Sequence, residues 1–304
     1  MGDASLRVIG GPTAAGKSAL VMALAERHAI TVISADSRQV YRGFDIGTAK
    51  PSAAERARVP HVGLDLVEPG ERFSAAAWAQ HAAAAIHAAR AAGRVPVVVG
   101  GTGFYSRALV SPLFEEPPLD PSRRAALAAE LAALPTPALR ARVEALDPAR
   151  AHLGRAQLLR AVEVAELTGR PLSAWHSERG APARPARYLL VDPGAVLRQW
   201  IPARVSRMLE EGWADEVRRL ARTVPADAPA WNATGYAAIR DLVQGRATRE
   251  ATIARVEVAT RQYAKRQRTW FRHQLRGERV ATLDPTAGGA LDRALDWFTE
   301  GDRS

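Results

Sequence analysis

Eight consecutive residues, Gly11-Pro12-Thr13-Ala14-Ala15-Gly16-Lys17-Ser18, contain the parts of a phosphate site. Glycines near both ends let backbone N–H groups close around phosphate oxygens, and a helix beginning there adds a positive dipole. Lys17 is placed to neutralise an outer phosphate, and the Ser18 hydroxyl to ligate Mg²⁺. The motif specifies a di- or triphosphate site with a metal. It does not specify that a nucleoside triphosphate is cleaved there.

Two further clusters could act on whatever the phosphates carry. Asp36 stands in Ala35-Asp36-Ser37-Arg38-Gln39-Val40-Tyr41, just after an apolar run. In an open parallel sheet, ligands bind beyond the carboxyl ends of the strands. A carboxylate there could hold the metal, accept a proton from a nucleophile, or simply cap a helix. Gly100-Gly101-Thr102-Gly103-Phe104-Tyr105 follows another apolar run. It offers no acid to activate water. Its glycines favour either close approach of a substrate or a tight turn.

A fourth cluster is cationic. Thr260 to Gln274 reads T-R-Q-Y-A-K-R-Q-R-T-W-F-R-H-Q. At about 100° per residue, Arg261, Lys265, Arg268 and Arg272 share a stripe roughly 60° wide. Val256, Ala259, Tyr263 and Trp270 fall opposite and are expected to face the core. No acid occurs between Glu257 and Glu278. A solvated face usually mixes signs, so the stripe points to a phosphate backbone.

Positioning these clusters requires alternating strands and helices. Apolar runs at Leu6–Ile9, Thr31–Ser34 and Val95–Val99 read as strands buried on both sides. Helical text lies between them, including Ser74 to Ala92. His81 and His87, on that segment, are expected at the surface. The pattern implies an α/β fold, a P-loop parallel sheet flanked by helices. Pro112, Pro117, Pro118 and Pro121 then interrupt it. Ser122 to Trp175 reads as a smaller all-helical insertion domain, expected over residues 116–184. The core domain is expected over 1–115 and 185–304. Within it, Tyr188–Val191 and Val280–Leu283 read as strands, and Leu197–Thr223 and Glu250–Leu275 as helices.

Composition narrows the field. The chain of 304 residues has no cysteine, which removes disulfides, thiolate nucleophiles and thiolate zinc sites. The net charge of +10 is consistent with a polyanionic partner such as nucleic acid. No apolar run approaches a membrane span, and the first residues lack a signal-peptide pattern, so a cytoplasmic protein is expected.

The segments G-P-T-A-A-G-K-S (11–18), I-S-A-D-S-R-Q-V-Y-R-G-F-D-I-G-T-A-K-P (33–51), V-V-G-G-T-G-F-Y (98–105), L-R-A-V-E-V with T-G-R-P-L-S (159–173) and T-R-Q-Y-A-K-R-Q-R-T-W-F-R (260–272) occur in order along nearly the whole chain. Together they resemble the tRNA dimethylallyltransferases, or tRNA isopentenyltransferases, of the IPP transferase family. The resemblance implies transfer of a dimethylallyl group from dimethylallyl diphosphate to N6 of the adenosine 3′-adjacent to the anticodon. It implies that Asp36 receives the N6 proton, that Thr13 bonds the bridging oxygen of the leaving diphosphate, and that Arg204 also reaches that diphosphate. Residues Gly11 to Ser18 would bind the diphosphate, with Mg²⁺ on Ser18. Asp36, Ser37, Arg38, Gln39, Thr102, Arg124, Gln157, Arg160, Arg261, Lys265, Arg268 and Arg272 would contact tRNA. The insertion would meet the anticodon stem-loop, and a monomer is expected. The chain departs from the family pattern after Pro60-His61 and before Tyr236. It also has Gln157 where an arginine is common.

Overall fold

The computed structural model describes residues 5–111, 119–177, 184–275 and 279–300. Its chain divides into two units, Met1–Val110 with Ala183–Ser304, and Ser111–Pro182.

In the larger unit, β1 (Leu6–Gly10) and β2 (Ile30–Ser34) are mainly apolar and buried at every position, including Arg7, whose Nε donates to Phe298 O at 2.9 Å. Helix α1 (Lys17–Ala25) joins them. Next come α2 (Ala53–Arg58), the two-residue β3 (His61–Val62), α3 (Ala75–Ala91), β4 (Val95–Gly100) and α4 (Gly103–Val110). The smaller unit contributes α5 (Pro121–Ala132), α6 (Thr136–Leu146), α7 (Arg155–Thr168) and α8 (Leu172–Ser177). The larger unit resumes with β5 (Ala186–Val191), α9 (Leu197–Glu210), α10 (Trp213–Leu220), α11 (Tyr236–Val243), α12 (Arg249–Gln274), β6 (Val280–Leu283) and α13 (Ala290–Thr299).

The strands form one parallel sheet in the order β3-β2-β4-β1-β5-β6. On one face, Ile9, Val97, Val99, Leu189 and Leu283 pack with Val21 and Leu24 of α1 and Trp297 and Phe298 of α13. Full burial contributes about 1.5–3 kcal/mol for each large side chain. On α3, Trp78 donates to the carbonyl of Ser34 at 2.9 Å and stacks on Tyr105 with centroids 4.8 Å apart. Because β1 is central, the loop after it lies between the loops after β4 and β5.

Among its described residues, the smaller unit has helices and no strand. Leu131, Leu139, Val143, Leu158 and Val162 form its own core. Asp120 caps α5 through Arg123 N–H at 2.8 Å, and Pro121 sits at the first helical turn. Pro112, Pro117 and Pro118 lie outside the described residues.

Three expectations need correction. Leu197–Thr223 is two helices, because Gly212 at φ 96° breaks the chain between α9 and α10. His81 is half-buried on α3, whereas His87 is exposed. The buried line of α12 is Thr252, Val256, Thr260, Ala264, Gln267 and Phe271, rotated from the expected aromatic line. Polar residues tolerate this burial because their hydroxyls bond back into the helix. Thr252 Oγ1 donates to Thr248 O at 2.8 Å and Thr260 Oγ1 to Val256 O at 2.7 Å.

Candidate active site

The phosphate loop is shaped before any ligand is considered. Gly11 has φ 140°, and a Cβ there would stand 2.2 Å from the Val191 carbonyl oxygen. Gly16, at φ 86°, starts α1. Ala14 also occupies the left-handed region, at φ 62°, which costs a non-glycine residue roughly 1 kcal/mol. Lys17 Nζ donates to Gly11 O at 3.0 Å and Pro12 O at 2.6 Å. Its pKa is lowered to about 8, chiefly by burial and also by Arg204, against the opposing charges of Asp36 and Asp192. A bound diphosphate would favour the ammonium form.

The loops after β2 and β4 are sewn together. Ala35 N–H donates to Val99 O at 2.8 Å, and Thr102 N–H to Ala35 O at 3.1 Å. Ser37 N–H reaches Thr102 Oγ1 at 3.1 Å. Asp36 Oδ1 accepts from Arg38 N–H at 2.8 Å. The carboxylate thus caps a turn rather than a helix, which fixes its direction.

The glycines of this region serve internal packing rather than the approach of a substrate. A Cβ on Gly100 would lie 2.1 Å from Ala35 O, and one on Gly103 would lie 2.0 Å from the Trp270 ring. Gly100→Ala forces backbone apart, so it should lower stability by about 1–3 kcal/mol and lower turnover with it. Urea unfolding and activity assays on the same sample check this.

Lys17, Asp36, Arg204 and Tyr263 line one cleft of about 1160 Å³. Burial lowers the Arg204 pKa, the neighbouring Arg207 adds to this, and Asp36 opposes it. Burial pushes the Tyr263 phenol up to about 12, helped by the Asp36 charge and opposed by a hydrogen bond with Thr102. Two basic side chains and a phenol therefore share one cleft with the Asp36 carboxylate. Tyr263, expected in the core, is a cleft residue.

Several expected RNA contacts have internal partners. The Gln39 amide donates to Thr48 O at 3.1 Å and Ala49 O at 3.0 Å, and accepts from Ser34 Oγ at 2.7 Å. Its side chain supports the turn at 48–49. Arg268 binds Asp192, with Nε to Oδ2 at 2.8 Å, and Gly194 O at 2.7 Å. It anchors the loop after β5, so the free stripe narrows. Arg261 pairs with Glu257 at 3.1 Å, while Lys265 and Arg272 are exposed. Ser37 and Arg38 stand half-buried beside Asp36. In the smaller unit, Arg124 and Arg160 both bond Glu163. Gln157 Oε1 accepts from Gly154 N–H at 3.3 Å and caps α7.

Sequence reasoning overlooked Glu216. This carboxylate is buried and accepts the Tyr236 hydroxyl at 2.6 Å and the N–H groups of Asp45 and Ile46 at 2.9 and 2.7 Å. The Gly235-Tyr236 pair was the available signal, since a buried tyrosine needs a partner.

No cluster of three His, Cys, Asp or Glu that could cage a metal exists among the described residues. The Ser18 hydroxyl is exposed in the first turn of α1. That donor set suits a Mg²⁺ held mainly by diphosphate oxygens and water, because magnesium keeps much of its hydration.

A phosphate loop facing a carboxylate, on a parallel sheet with an acid-free β4 loop, defines a P-loop protein built for group transfer rather than water activation. Comparison with known proteins makes this specific. A family profile described as IPP transferase matches residues 39–274, and one described as isopentenyl transferase matches residues 4–67. A tRNA dimethylallyltransferase of Rhodospirillum centenum is 49% identical over 295 residues, covering 94% of this chain and 93% of that protein. One from Halorhodospira halophila is 47% identical over 284 residues, covering 90% and 92%. The crystal structure of the full-length tRNA isopentenylpyrophosphate transferase from Bacillus halodurans aligns with TM-score 0.68 at 33% identity, covering 97% of this chain and 95% of that one. A eukaryotic dimethylallyltransferase acting on tRNA shares the fold, with TM-score 0.81 at 24% identity, covering 97% and 80%. The chain belongs to the IPP transferase family.

Proposed function

We infer that this chain transfers a dimethylallyl group from dimethylallyl diphosphate to N6 of the adenosine 3′-adjacent to the anticodon in tRNA. The observation that carries the chemistry is the single cleft shared by Thr13 to Ser18 of the loop, Asp36 and Arg204. Adenine N6 is a weak nucleophile because its lone pair is delocalised into the ring. An allylic diphosphate compensates, since its C–O bond loosens as the departing charge is stabilised. The loop amides other than that of Thr13, with Lys17 and Arg204, would meet that growing charge, the largest expected contribution. Thr13 bonds the bridging oxygen. The C–O bond breaks with its electron pair leaving on diphosphate, the N6–C bond forms, and Asp36 takes the N6 proton. Mg²⁺, bound with the diphosphate at Ser18, would supply further charge neutralisation. The adenosine must leave its stack to reach Asp36, which costs a few kcal/mol.

Ser37, Arg38 and Thr102 flank the base, and Arg261, Lys265 and Arg272 meet the phosphate backbone. The helical unit, with Arg124, Gln157 and Arg160, receives the anticodon stem-loop. The working form is a monomer in the cytoplasm. No helix among the described residues is long and apolar enough to cross a membrane.

The decisive assay is incubation of purified protein with labelled dimethylallyl diphosphate and unmodified bulk tRNA, followed by nucleoside analysis. Label in N6-(dimethylallyl)adenosine supports the reading. Unalkylated tRNA together with phosphoryl transfer or release from ATP refutes it. For the RNA face, Lys265→Glu with Arg272→Glu should weaken tRNA binding about tenfold or more and reduce the log–log salt slope by roughly 1–2. Filter binding across a salt series reads both effects.

A further inference from the structure

A buried amide joins the two loops that bracket the chemistry. Gln267 lies on the inner side of α12 and is 5% exposed. Its Oε1 accepts Thr13 N–H at 2.7 Å, and its Nε2 donates to Gly101 O at 3.0 Å. The fit is close on both sides. A Cβ on Gly101 would stand 2.1 Å from Gln267 Nε2. The same bond draws the Thr13 amide towards α12. That amide is then committed to Gln267 and not to a phosphate, while the Thr13 residue still lines the cleft.

We propose that Gln267 is a positioning residue for prenyl transfer, acting through Thr13. It sets the backbone of Thr13 so that the Thr13 hydroxyl meets the bridging oxygen of the allylic diphosphate. It also ties this placement to the loop after β4, whose Thr102 holds Ser37 next to Asp36. The leaving group and the proton acceptor are thereby kept in register by one side chain. The proposal rests on the reaction inferred above, so native protein must alkylate tRNA in the same assay. A native failure refutes that reading and not the latch.

Three features make the idea testable apart from folding. Methionine matches glutamine in length but bonds neither loop. Gln267→Met should lower kcat roughly ten- to hundredfold, the cost of a small misplacement at a reacting centre, with the KM for tRNA within about threefold of native. Acting through Thr13 means non-additivity. In the Thr13→Ala background, Gln267→Met should cost less than about threefold more, whereas independent roles would multiply. Gln267→Glu supplies the readout that survives if the methionine variant does not fold. A protonated glutamic acid reproduces both bonds, its carbonyl accepting Thr13 N–H and its hydroxyl donating to Gly101 O. An ionised one faces the Gly101 carbonyl with a lone pair. Its kcat relative to native should therefore rise severalfold between about pH 8 and about pH 6. Coupling in the cycle and this acid rescue are the expected results. Multiplying defects, or a glutamate variant whose kcat ratio to native is flat with pH, overturns the proposal.

Discussion

Asp36→Asn should reduce prenyl transfer by about 10²- to 10⁴-fold while tRNA affinity stays within a few-fold of native. The substitution is chosen because the side chain has two jobs. Asp36 Oδ1 accepts from Arg38 N–H and so holds the turn. Asparagine keeps an acceptor in that position, so the turn and its neighbours Ser37 and Arg38 remain. What it loses is the capacity to take a proton. Single-turnover transfer measured with saturating tRNA, beside filter binding of the same variant, separates the two functions. Turnover within about threefold of native would remove Asp36 from the proton path.

Glu216→Leu should cost about 3–5 kcal/mol of stability. The carboxylate is 2% exposed and receives one hydroxyl and two backbone N–H groups within 2.9 Å. Leucine fills the space but leaves those donors buried without a partner. At the same place, burial and then the Glu216 charge push the Tyr236 pKa upward. The loss should also reach the cleft. Asp45 and Ile46 begin the segment whose Thr48 and Ala49 carbonyls hold Gln39. Urea unfolding of native, Glu216→Leu and Glu216→Gln measures the effect. The glutamine variant should lose less than the leucine variant, because its amide oxygen can still accept. Equal stabilities for native and leucine variants would contradict this account.

The sequence made the sheet legible because its strands are short, mainly apolar, β-branched runs. Leu6–Ile9, Thr31–Ser34, Val95–Val99, Tyr188–Val191 and Val280–Leu283 all lie within strands. The pair His61–Val62 was too short to leave a pattern. Polar burial was the harder problem. Period alone placed Tyr263 in the core and left Gln267 unassigned, because a helical wheel ranks residues by hydropathy. Whether a buried polar side chain is tolerable depends on partners far along the chain. Gln267 finds Thr13 and Gly101, Glu216 finds Tyr236 and the turn at 45–46, and Arg268 finds Asp192. Those pairings are tertiary, so nothing local in the sequence announces them. The active-site motifs were readable for the opposite reason. A phosphate loop is a local backbone shape, and its glycines are required within a span of a few residues.

Under the proposed function, the division of labour on α12 limits how this enzyme can change its choice of RNA. One 26-residue helix presents Lys265 and Arg272 to solvent, Tyr263 to the cleft and Gln267 to the phosphate loop. A substitution that rotates or shifts the helix to suit a new stem would also disturb the donor pocket. Retuning of specificity is therefore confined to swaps on the outward side of the helix, and variation among descendants of this protein should concentrate there.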